Sequence, residues 1–222
     1  MATKEKSELE LKKAQSLNNI PRGDEYEKMI SGMLYDSFVP ELEDARLRAR
    51  VWMNKYNNME PEDATLKTAA IQAKRLRLLR DIMGSVRGDD VFIEPPFRVD
   101  YGSNIILGDR FYANFNLTIL DCAIITIGDR VMMGPNVMIS AATHETEVGS
   151  RRANIEYALP VTIGDDCWIG GGVIILPGVT IGKGCTIGAA SVVTKDIPPW
   201  SVAVGSPARV IKKVPELDDV PN

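Results

Sequence analysis

Residues 163–192 read IGDDCWIGGGVIILPGVTIGKGCTIGAASV, the most regular stretch of the chain. Written in sixes, it has an isoleucine at the start of every hexad, usually followed by a small residue; these are Ile163, Ile169, Ile175, Ile181 and Ile187. A six-residue period predicts a parallel β-helix, in which each hexad forms one short strand and one turn. The aliphatic residue points into a narrow core, and the small residue after it allows the chain to turn tightly.

The same phase appears earlier in the chain, at Ile127, Met133 and Ile139, and Leu107 begins a weaker, shifted copy. Three hexads would make one triangular coil, and successive coils stack at the spacing of neighbouring strands. We therefore predict a mainly β chain whose β-helix covers residues 91–213. Most of its Ile, Val and Gly residues belong to the core and the corners, so functional residues are sought where the repeat fails.

The remaining segments have a different pattern. Residues 23–90 carry helical signals: Pro40 can start one helix, and Asp63 can cap another whose apolar residues recur with a 3.6-residue period. This range is predicted to form a small N-terminal helical domain. Residues 1–22, rich in polar side chains, are predicted to be a frayed tail or a solvated helix, and residues 214–222 a C-terminal tail.

The repeat is interrupted over residues 140–160, SAATHETEVGSRRANIEYALP, which lack the Ile-Gly signature. The 24 residues from Ile139 to Ile163 equal four hexads, so the phase survives the interruption. We expect a loop that projects from one coil, and long loops in compact folds are often functional. The loop contains His144, the single histidine of the chain. An imidazole suits general-base catalysis near neutral pH, although a lone histidine in a polar loop is more often a surface residue.

Composition excludes several classes of protein. The formal net charge is −4 and the isoelectric point about 5.2, which disfavours nucleic-acid and anionic-membrane partners. The three cysteines, Cys122, Cys167 and Cys185, form no CxxC pair, so a disulfide framework or a zinc site is not expected and a reducing compartment fits. The N-terminal MATKEKSELELKK has no apolar core typical of a secretory signal, and no apolar run could span a bilayer. We expect a cytoplasmic protein without a metal.

Four stretches together resemble one family. They are EYEKMISGMLYDSFVPELEDARLRAR (25–50), DYGSNIILGDRFYANFNLTILD (100–121), PVTIGDDCWIGGGVIILPGVTIG (160–182) and GAASVVTKDIPPWSVAVGSPARVIKK (188–213). Their order, with the His144 loop between the second and third, is similar to that of the sugar O-acetyltransferases of the maltose, galactoside and nodulation-factor type. The resemblance covers about residues 25–213. It implies a left-handed β-helix, a hand that the period alone does not give.

The resemblance also implies a reaction, in which acetyl-CoA donates an acetyl group to a hydroxyl. A hydroxyl needs a base when it attacks a thioester, and His144 matches the catalytic histidine of the family. Asn114, in FYANFN, matches the residue that stabilises the oxyanion and contacts the acceptor; on its own it would be interpreted as a turn residue. Glu156, in NIEYALP, is a candidate for orienting the base, and otherwise a solvated loop acid.

Acceptor binding is implied for residues that can form hydrogen bonds with sugar hydroxyls. Asp36 matches an acidic position of the family, Asp100 matches a position that is Asp or Ser in the family, and Asp121 follows LTIL. Trp168 matches an aromatic residue beside the acceptor, with core packing as the equal alternative. Galactoside enzymes carry a second acid at the position of Cys122, so its absence favours a maltose-like or unrelated acceptor.

Binding of acetyl-CoA is implied for small residues that leave coil edges open and for basic residues that suit phosphates. These candidates are Gly171, Ala189, Thr194, Lys195, Arg209 and Lys212. Family members are generally homotrimers with the active site between two prisms, so a homotrimer is expected here.

Two rival functions remain open on the sequence, and a third is nearly excluded. The acceptor could be serine, an antibiotic or another xenobiotic, or an amino sugar, with the same fold and base. A carbonic anhydrase of similar fold would need three histidines on zinc, and the chain has one. A non-catalytic scaffold is the second open rival, and His144, Asn114 and Lys195 argue against it.

Overall fold

The structure is a computed structural model, and it describes residues 1–59 and 68–217. The chain is mainly β, with a solenoid of about six turns and a small N-terminal helical region. The fold class predicted from the six-residue period is therefore confirmed. Helices are numbered α1–α5 and strands β1–β20 in chain order.

Three parallel sheets form the faces of the solenoid, and successive strands of a coil lie on the first, second and third face in turn. The first face consists of β2 (Ser85–Val86), β5 (Ile105–Leu107), β8 (Ile125–Ile127), β13 (Val161–Ile163) and β16 (Thr180–Ile181). The second face consists of β3 (Phe92–Ile93), β6 (Tyr112–Ala113), β9 (Met132–Met133), β14 (Trp168–Ile169), β17 (Thr186–Ile187), β19 (Ser201–Val204) and the antiparallel β20 (Arg209–Lys213). The third face consists of β4 (Arg98–Val99), β7 (Thr118–Leu120), β10 (Met138–Ser140), β15 (Ile174–Ile175) and β18 (Val192–Val193).

The register of the strands stacks the hexads in the way the period requires. Ile163 pairs with Ile181, which lies 18 residues, or three hexads, further along the chain. The five isoleucines that begin the hexads of residues 163–192 are each at most 1% exposed, so these five point into the core. Ile127 pairs with Ile163, 36 residues away, because the projecting loop is inserted into that coil.

Where glycine follows the isoleucine, it is required by stacking rather than by its own backbone conformation. A Cβ on Gly164 would lie 2.6 Å from the backbone nitrogen of Lys183 in the next coil, and Gly182 is similarly crowded by Pro199. The positive φ angles of this repeat occur three residues after the isoleucine instead. These residues are Asp166, Gly172, Gly178, Gly184 and Ala190. The predicted tight turn is present, and its left-handed residue lies two positions later than expected.

In the described part of the chain, four helices build a cap on the first coils: α1 (Glu8–Ala14), α2 (Asp24–Ile30), α3 (Pro40–Asn57) and α4 (Thr68–Ile82). Trp52 and Tyr56 of α3 pack against Phe97 of the solenoid, with ring centroids 6.1 Å and 6.3 Å from that of Phe97. The cap and the solenoid therefore share one apolar core.

Two predicted boundaries differ from the structure, and two further predictions fall on residues that it does not describe. Residues 1–22 do not form a free tail, because Ala14 and Leu17 are buried in the shared core and Thr3 hydrogen-bonds to Gly32. The solenoid begins at β2, before residue 91, since β2 already pairs with β5. Asp63, the predicted helix cap, lies outside the described residues, as do the last five residues of the predicted C-terminal tail, 218–222.

The segment 140–160 forms ordered structure. It contains β11 (Ala142–Thr143), the short helix α5 (Val148–Arg152) and β12 (Ile155–Ala158), which pairs antiparallel with β11. Strand β1 (Tyr35–Asp36) of the cap adds to the other edge of β12. The projecting loop is therefore a hairpin that the cap completes to a three-stranded sheet.

Candidate active site

The three-stranded sheet brings the predicted base close to a carboxylate. His144 follows β11 directly, and Glu156 lies on β12. The distance from His144 Nε2 to Glu156 Oε2 is 3.6 Å. The His144 side chain is 52% exposed and that of Glu156 only 19%, so the imidazole is open to substrate while the carboxylate is mostly covered. The carboxylate therefore faces the imidazole at a distance slightly longer than a hydrogen bond.

The other oxygen of Glu156 is held from the cap. The Tyr35 hydroxyl donates a hydrogen bond of 2.6 Å to Glu156 Oε1. Tyr35 and Glu156 are also direct partners in the antiparallel pairing of β1 with β12. The orientation of Glu156 is therefore fixed both through the backbone and through the side chain.

The turns that follow the strands of the third face form the third corner, where the hairpin leaves the solenoid. Asp100 follows β4 here, and Cys122 follows β7 by two residues. Cys122 Sγ lies 3.5 Å from Asp100 Oδ2, and Arg50 of α3 lies 4.0 Å from Asp100 Oδ1. Burial raises the pKa values of both the Asp100 carboxyl and the Cys122 thiol. Asp36, next to Tyr35 on β1, accepts a hydrogen bond of 2.9 Å from the backbone of Phe38.

Asp121 has a different role from the predicted acceptor contact. Its side chain is fully buried, and Oδ1 accepts hydrogen bonds of 3.0 Å and 2.9 Å from the backbone nitrogens of Asp100 and Tyr101. Its other oxygen accepts from the backbone of Asn104 at 3.3 Å. Burial raises the pKa of Asp121 to about 7. The carboxyl group stabilises the turn that contains Asp100. Because the group is fully buried, it cannot contact a sugar, so the predicted acceptor contact of Asp121 is wrong.

The turns that follow the strands of the second face form the second corner, and Asn114 lies there with Gly171 and Ala189. Backbone hydrogen bonds run up this corner from coil to coil, for example from Gly172 to Pro135 at 2.8 Å. Asn114 Oδ1 accepts a hydrogen bond of 2.7 Å from the backbone of Phe115. Within the described residues the Asn114 Nδ2 group makes no hydrogen bond, so it is available as a donor.

Trp168 lies on the outer side of the second face and is 54% exposed. Trp168 is therefore not a core residue, and core packing, the alternative role considered for it, is excluded. Its strand neighbour Met132 is 52% exposed, and Tyr112 on the next strand is 37% exposed. Together these side chains form an exposed apolar stripe that runs along the second face.

Family models match both parts of this architecture. Residues 28–88 match the maltose acetyltransferase hexapeptide capping motif, and residues 160–195 match the bacterial transferase hexapeptide repeats. The galactoside O-acetyltransferase of Escherichia coli is 42% identical over 86% of this chain and 90% of its own length. This chain belongs to the hexapeptide-repeat sugar O-acetyltransferase family. It is therefore an O-acetyltransferase, as the resemblance implied.

Solved structures of the family agree with the fold. A maltose O-acetyltransferase from Clostridium difficile is 45% identical and superimposes with a TM-score of 0.80, covering 87% of this chain and 99% of the other. A galactoside acetyltransferase in complex with coenzyme A is 41% identical, with a TM-score of 0.77 over 86% of this chain and 92% of the other. That complex agrees with the predicted co-substrate.

The residues predicted to contact acetyl-CoA lie in three places in this O-acetyltransferase: at the second corner, at the third corner and on β20. Gly171 and Ala189 lie at the second corner, and Thr194 and Lys195 follow β18 at the third. Arg209 begins β20 at the end of the second face, and Lys212 lies three residues further along the same strand. Both side chains are exposed, as is Lys195. The single chain does not bring all of these residues together.

Two features beside the site were not predicted from the sequence. One is Tyr35, which directly precedes the predicted Asp36 but whose contact with Glu156 depends on pairing between distant segments. The other is a cavity of about 530 Å³ between α3 and the third face, whose polar lining includes Arg50, Asn54 and Asp100. A further cavity of about 670 Å³, between α1 and α2, contains none of the predicted site residues.

The described residues of this O-acetyltransferase contain no group of three or more His, Cys, Asp or Glu side chains that could hold a metal ion. Among the helices in residues 1–59 and 68–217, none combines the length and the apolar character needed to cross a bilayer.

Proposed function

We propose that this enzyme transfers the acetyl group of acetyl-CoA to a hydroxyl group of a sugar, with maltose- or glucose-like sugars as acceptors. The observation that carries the proposal is the His144–Glu156 pair, held at 3.6 Å on a hairpin above the third corner. The names of the related enzymes, which act on maltose and galactosides, support a sugar as the acceptor class.

His144 acts as the general base in this proposal. The imidazole takes the proton of the acceptor hydroxyl as its oxygen attacks the thioester carbonyl carbon. The resulting tetrahedral intermediate collapses, the carbon–sulfur bond breaks, and the imidazolium returns the proton to the CoA sulfur. The products are an acetyl ester and free CoA. Glu156, facing the imidazole, stabilises the imidazolium that forms during the reaction.

Asn114 supplies the hydrogen bond to the oxyanion of the intermediate. Its side-chain oxygen is occupied by the backbone of Phe115, which turns the amide so that Nδ2 is left for a ligand. A donor aimed at an oxyanion typically contributes about 3 kcal/mol to transition-state stabilisation. The lack of another partner for Nδ2 among the described residues supports this role.

A homotrimer completes the site. Within one chain, His144 and Glu156 lie above the third corner, whereas Asn114 and Gly171 lie at the second corner. A neighbouring copy can place its second corner, with the exposed Trp168 stripe, against the hairpin of the first. Both halves of the site then face the same cleft.

Asp36 and Asp100 bind the acceptor hydroxyls. Both lie close to the hairpin, and Asp100 also borders the polar cavity next to α3. The neutral thiol of Cys122 stands where galactoside enzymes have an acid, which favours a maltose- or glucose-like acceptor. Lys195, Arg209 and Lys212 are the proposed partners of the CoA phosphates.

The test is release of free thiol from acetyl-CoA in the presence of maltose, glucose, galactosides, glucosamine, serine and chloramphenicol. We expect release that depends on a sugar, with the highest kcat/KM for maltose or glucose. His144→Ala should lower kcat by about 10²- to 10⁴-fold, because the base is lost.

Glu147→Gln is the matched control, since Glu147 is an exposed acid of the same hairpin. It should retain the wild-type rate. If only serine or only chloramphenicol led to thiol release, the proposed sugar acceptor would be wrong and that compound's class would take its place. Absence of release with every acceptor, together with absence of CoA binding, would support a scaffold instead.

A further inference from the structure

Tyr35 combines complete burial with a contact to the proposed catalytic pair. Its side chain is 1% exposed, and it belongs to the helical cap rather than to the solenoid. Its hydroxyl donates the 2.6 Å hydrogen bond to Glu156 Oε1, while Glu156 Oε2 faces His144. One carboxylate thus connects a buried tyrosine of the cap to the exposed imidazole.

The surroundings of Tyr35 leave Glu156 as the natural acceptor of its hydrogen bond. Burial raises the pKa of Tyr35, so the hydroxyl stays protonated and able to donate. The Cys122 thiol, within hydrogen-bond reach of Tyr35, is kept neutral by its own burial. Tyr101, also nearby, has its oxygen occupied by Arg46 at 2.7 Å.

We propose that Tyr35 is a positioning residue for acetyl transfer, whose hydroxyl fixes the Glu156 carboxylate so that Glu156 can orient His144. The inference rests on the proposed function, because it assumes that His144 is the base. Through Tyr35, the cap then contributes to catalysis as well as to folding.

The physical reason lies in the freedom of a glutamate side chain. The terminal torsion of glutamate is broad, so a carboxylate held by a single contact samples many orientations. A hydrogen bond from a buried hydroxyl fixes one oxygen and thereby sets the direction of the other. A base displaced by about 1 Å can lose up to 10²-fold in rate, so this restriction affects kcat.

The test is a double-mutant cycle with Tyr35→Phe and Glu156→Ala. Phenylalanine keeps the buried ring and removes only the hydroxyl. We expect Tyr35→Phe to lower kcat by about tenfold and to change KM for acetyl-CoA less than twofold. Glu156→Ala should lower kcat at least as much, and the double variant should match Glu156→Ala alone, since Tyr35 acts only through Glu156.

Tyr56→Phe is the matched control. Tyr56 is another fully buried tyrosine of the cap, and its hydroxyl donates to the backbone of Ile93 at 2.8 Å, away from the hairpin. It should lose stability comparably, measured by thermal unfolding, and keep the wild-type kcat.

A wild-type kcat in Tyr35→Phe would overturn the inference, and so would losses that multiply in the double variant. Either result, obtained while His144→Ala is inactive, leaves the proposed function intact. Full activity of His144→Ala would overturn the base assignment and this inference with it.

Discussion

At the scale of single residues, similar side chains have different tasks according to their burial. Asp100 and Asp121 lie in the same pair of coils, and the sequence suggested that both bind the acceptor. Asp121 is fully buried and accepts three backbone hydrogen bonds, whereas Asp100 retains an exposed edge beside the polar cavity. A carboxyl group that satisfies buried amides is a structural element, because its removal would leave those amides unpaired.

The burial of Asp121 predicts a pH dependence of stability. Its pKa is raised from 3.8 to about 7 in the folded chain. Between about pH 4 and pH 7 the folded state therefore binds more protons at this site than the unfolded state, so the free energy of unfolding falls as the pH rises. Asp121→Asn removes this titration. Urea denaturation at about pH 5 and pH 7.5 should show a smaller decrease in the variant than in the wild type.

Asp166→Asn is the control for the slope of the free energy of unfolding against pH. Arg130 donates to Asp166 and lowers the pKa of its carboxyl, so the group is already ionised at pH 5. Its contribution to stability is lost only as the pH falls below this window. An unchanged slope in Asp121→Asn would contradict the burial argument.

At the scale of the repeating element, the hexad depends on backbone contact between coils. The isoleucine fills the core, and the glycine after it lets the backbone of the next coil approach. The left-handed residue that turns the corner comes three positions after the isoleucine and is often not glycine, as Asp166 and Ala190 show.

Replacement of Gly164 by alanine tests this role of the glycine. The added Cβ would lie 2.6 Å from the backbone nitrogen of Lys183. Because a backbone atom cannot move away without disturbing the stack, Gly164→Ala should lower the free energy of unfolding by about 1–3 kcal/mol. Gly149→Ala is the matched control, since a Cβ on Gly149 in α5 has nothing within 4 Å. A Gly164→Ala variant as stable as Gly149→Ala in urea denaturation would refute the stacking explanation.

At the scale of the whole molecule, the cap and the solenoid share one packed core, so we expect them to unfold as one cooperative unit. The apolar core continues from α3 into the first coils through Phe97, and β1 completes the hairpin that carries Glu156. The two regions differ in sequence pattern but share both the core and the proposed active site.

Removal of Phe97 should therefore destabilise both regions together. Its side chain is fully buried between Trp52 and Tyr56 of the cap and the solenoid core. Phe97→Ala should lower the free energy of unfolding by about 3–5 kcal/mol. Circular dichroism of the helices and tryptophan fluorescence should still give coincident thermal transitions. Loss of the helical signal at a lower temperature would show that the cap unfolds independently.

The amino-acid pattern alone predicts the solenoid, the phase of its core and the place where the repeat is interrupted. It could do so because the side-chain pattern of a hexad repeats locally, and each coil meets only its neighbours. The matching motifs also indicated the family and the reaction, and they placed His144, Asn114 and Asp36 in the proposed site.

Which of these residues meet depends on packing between segments that are distant along the chain. The pairing of β1 with β12 joins residues 35 and 156, whose separation along the chain carries no periodic signal. The burial of Asp121, the exposure of Trp168 and the packing of residues 1–22 also depend on which surfaces the cap covers. Contacts between distant segments are set by the shape of the packed core, and no local pattern in the sequence encodes that shape.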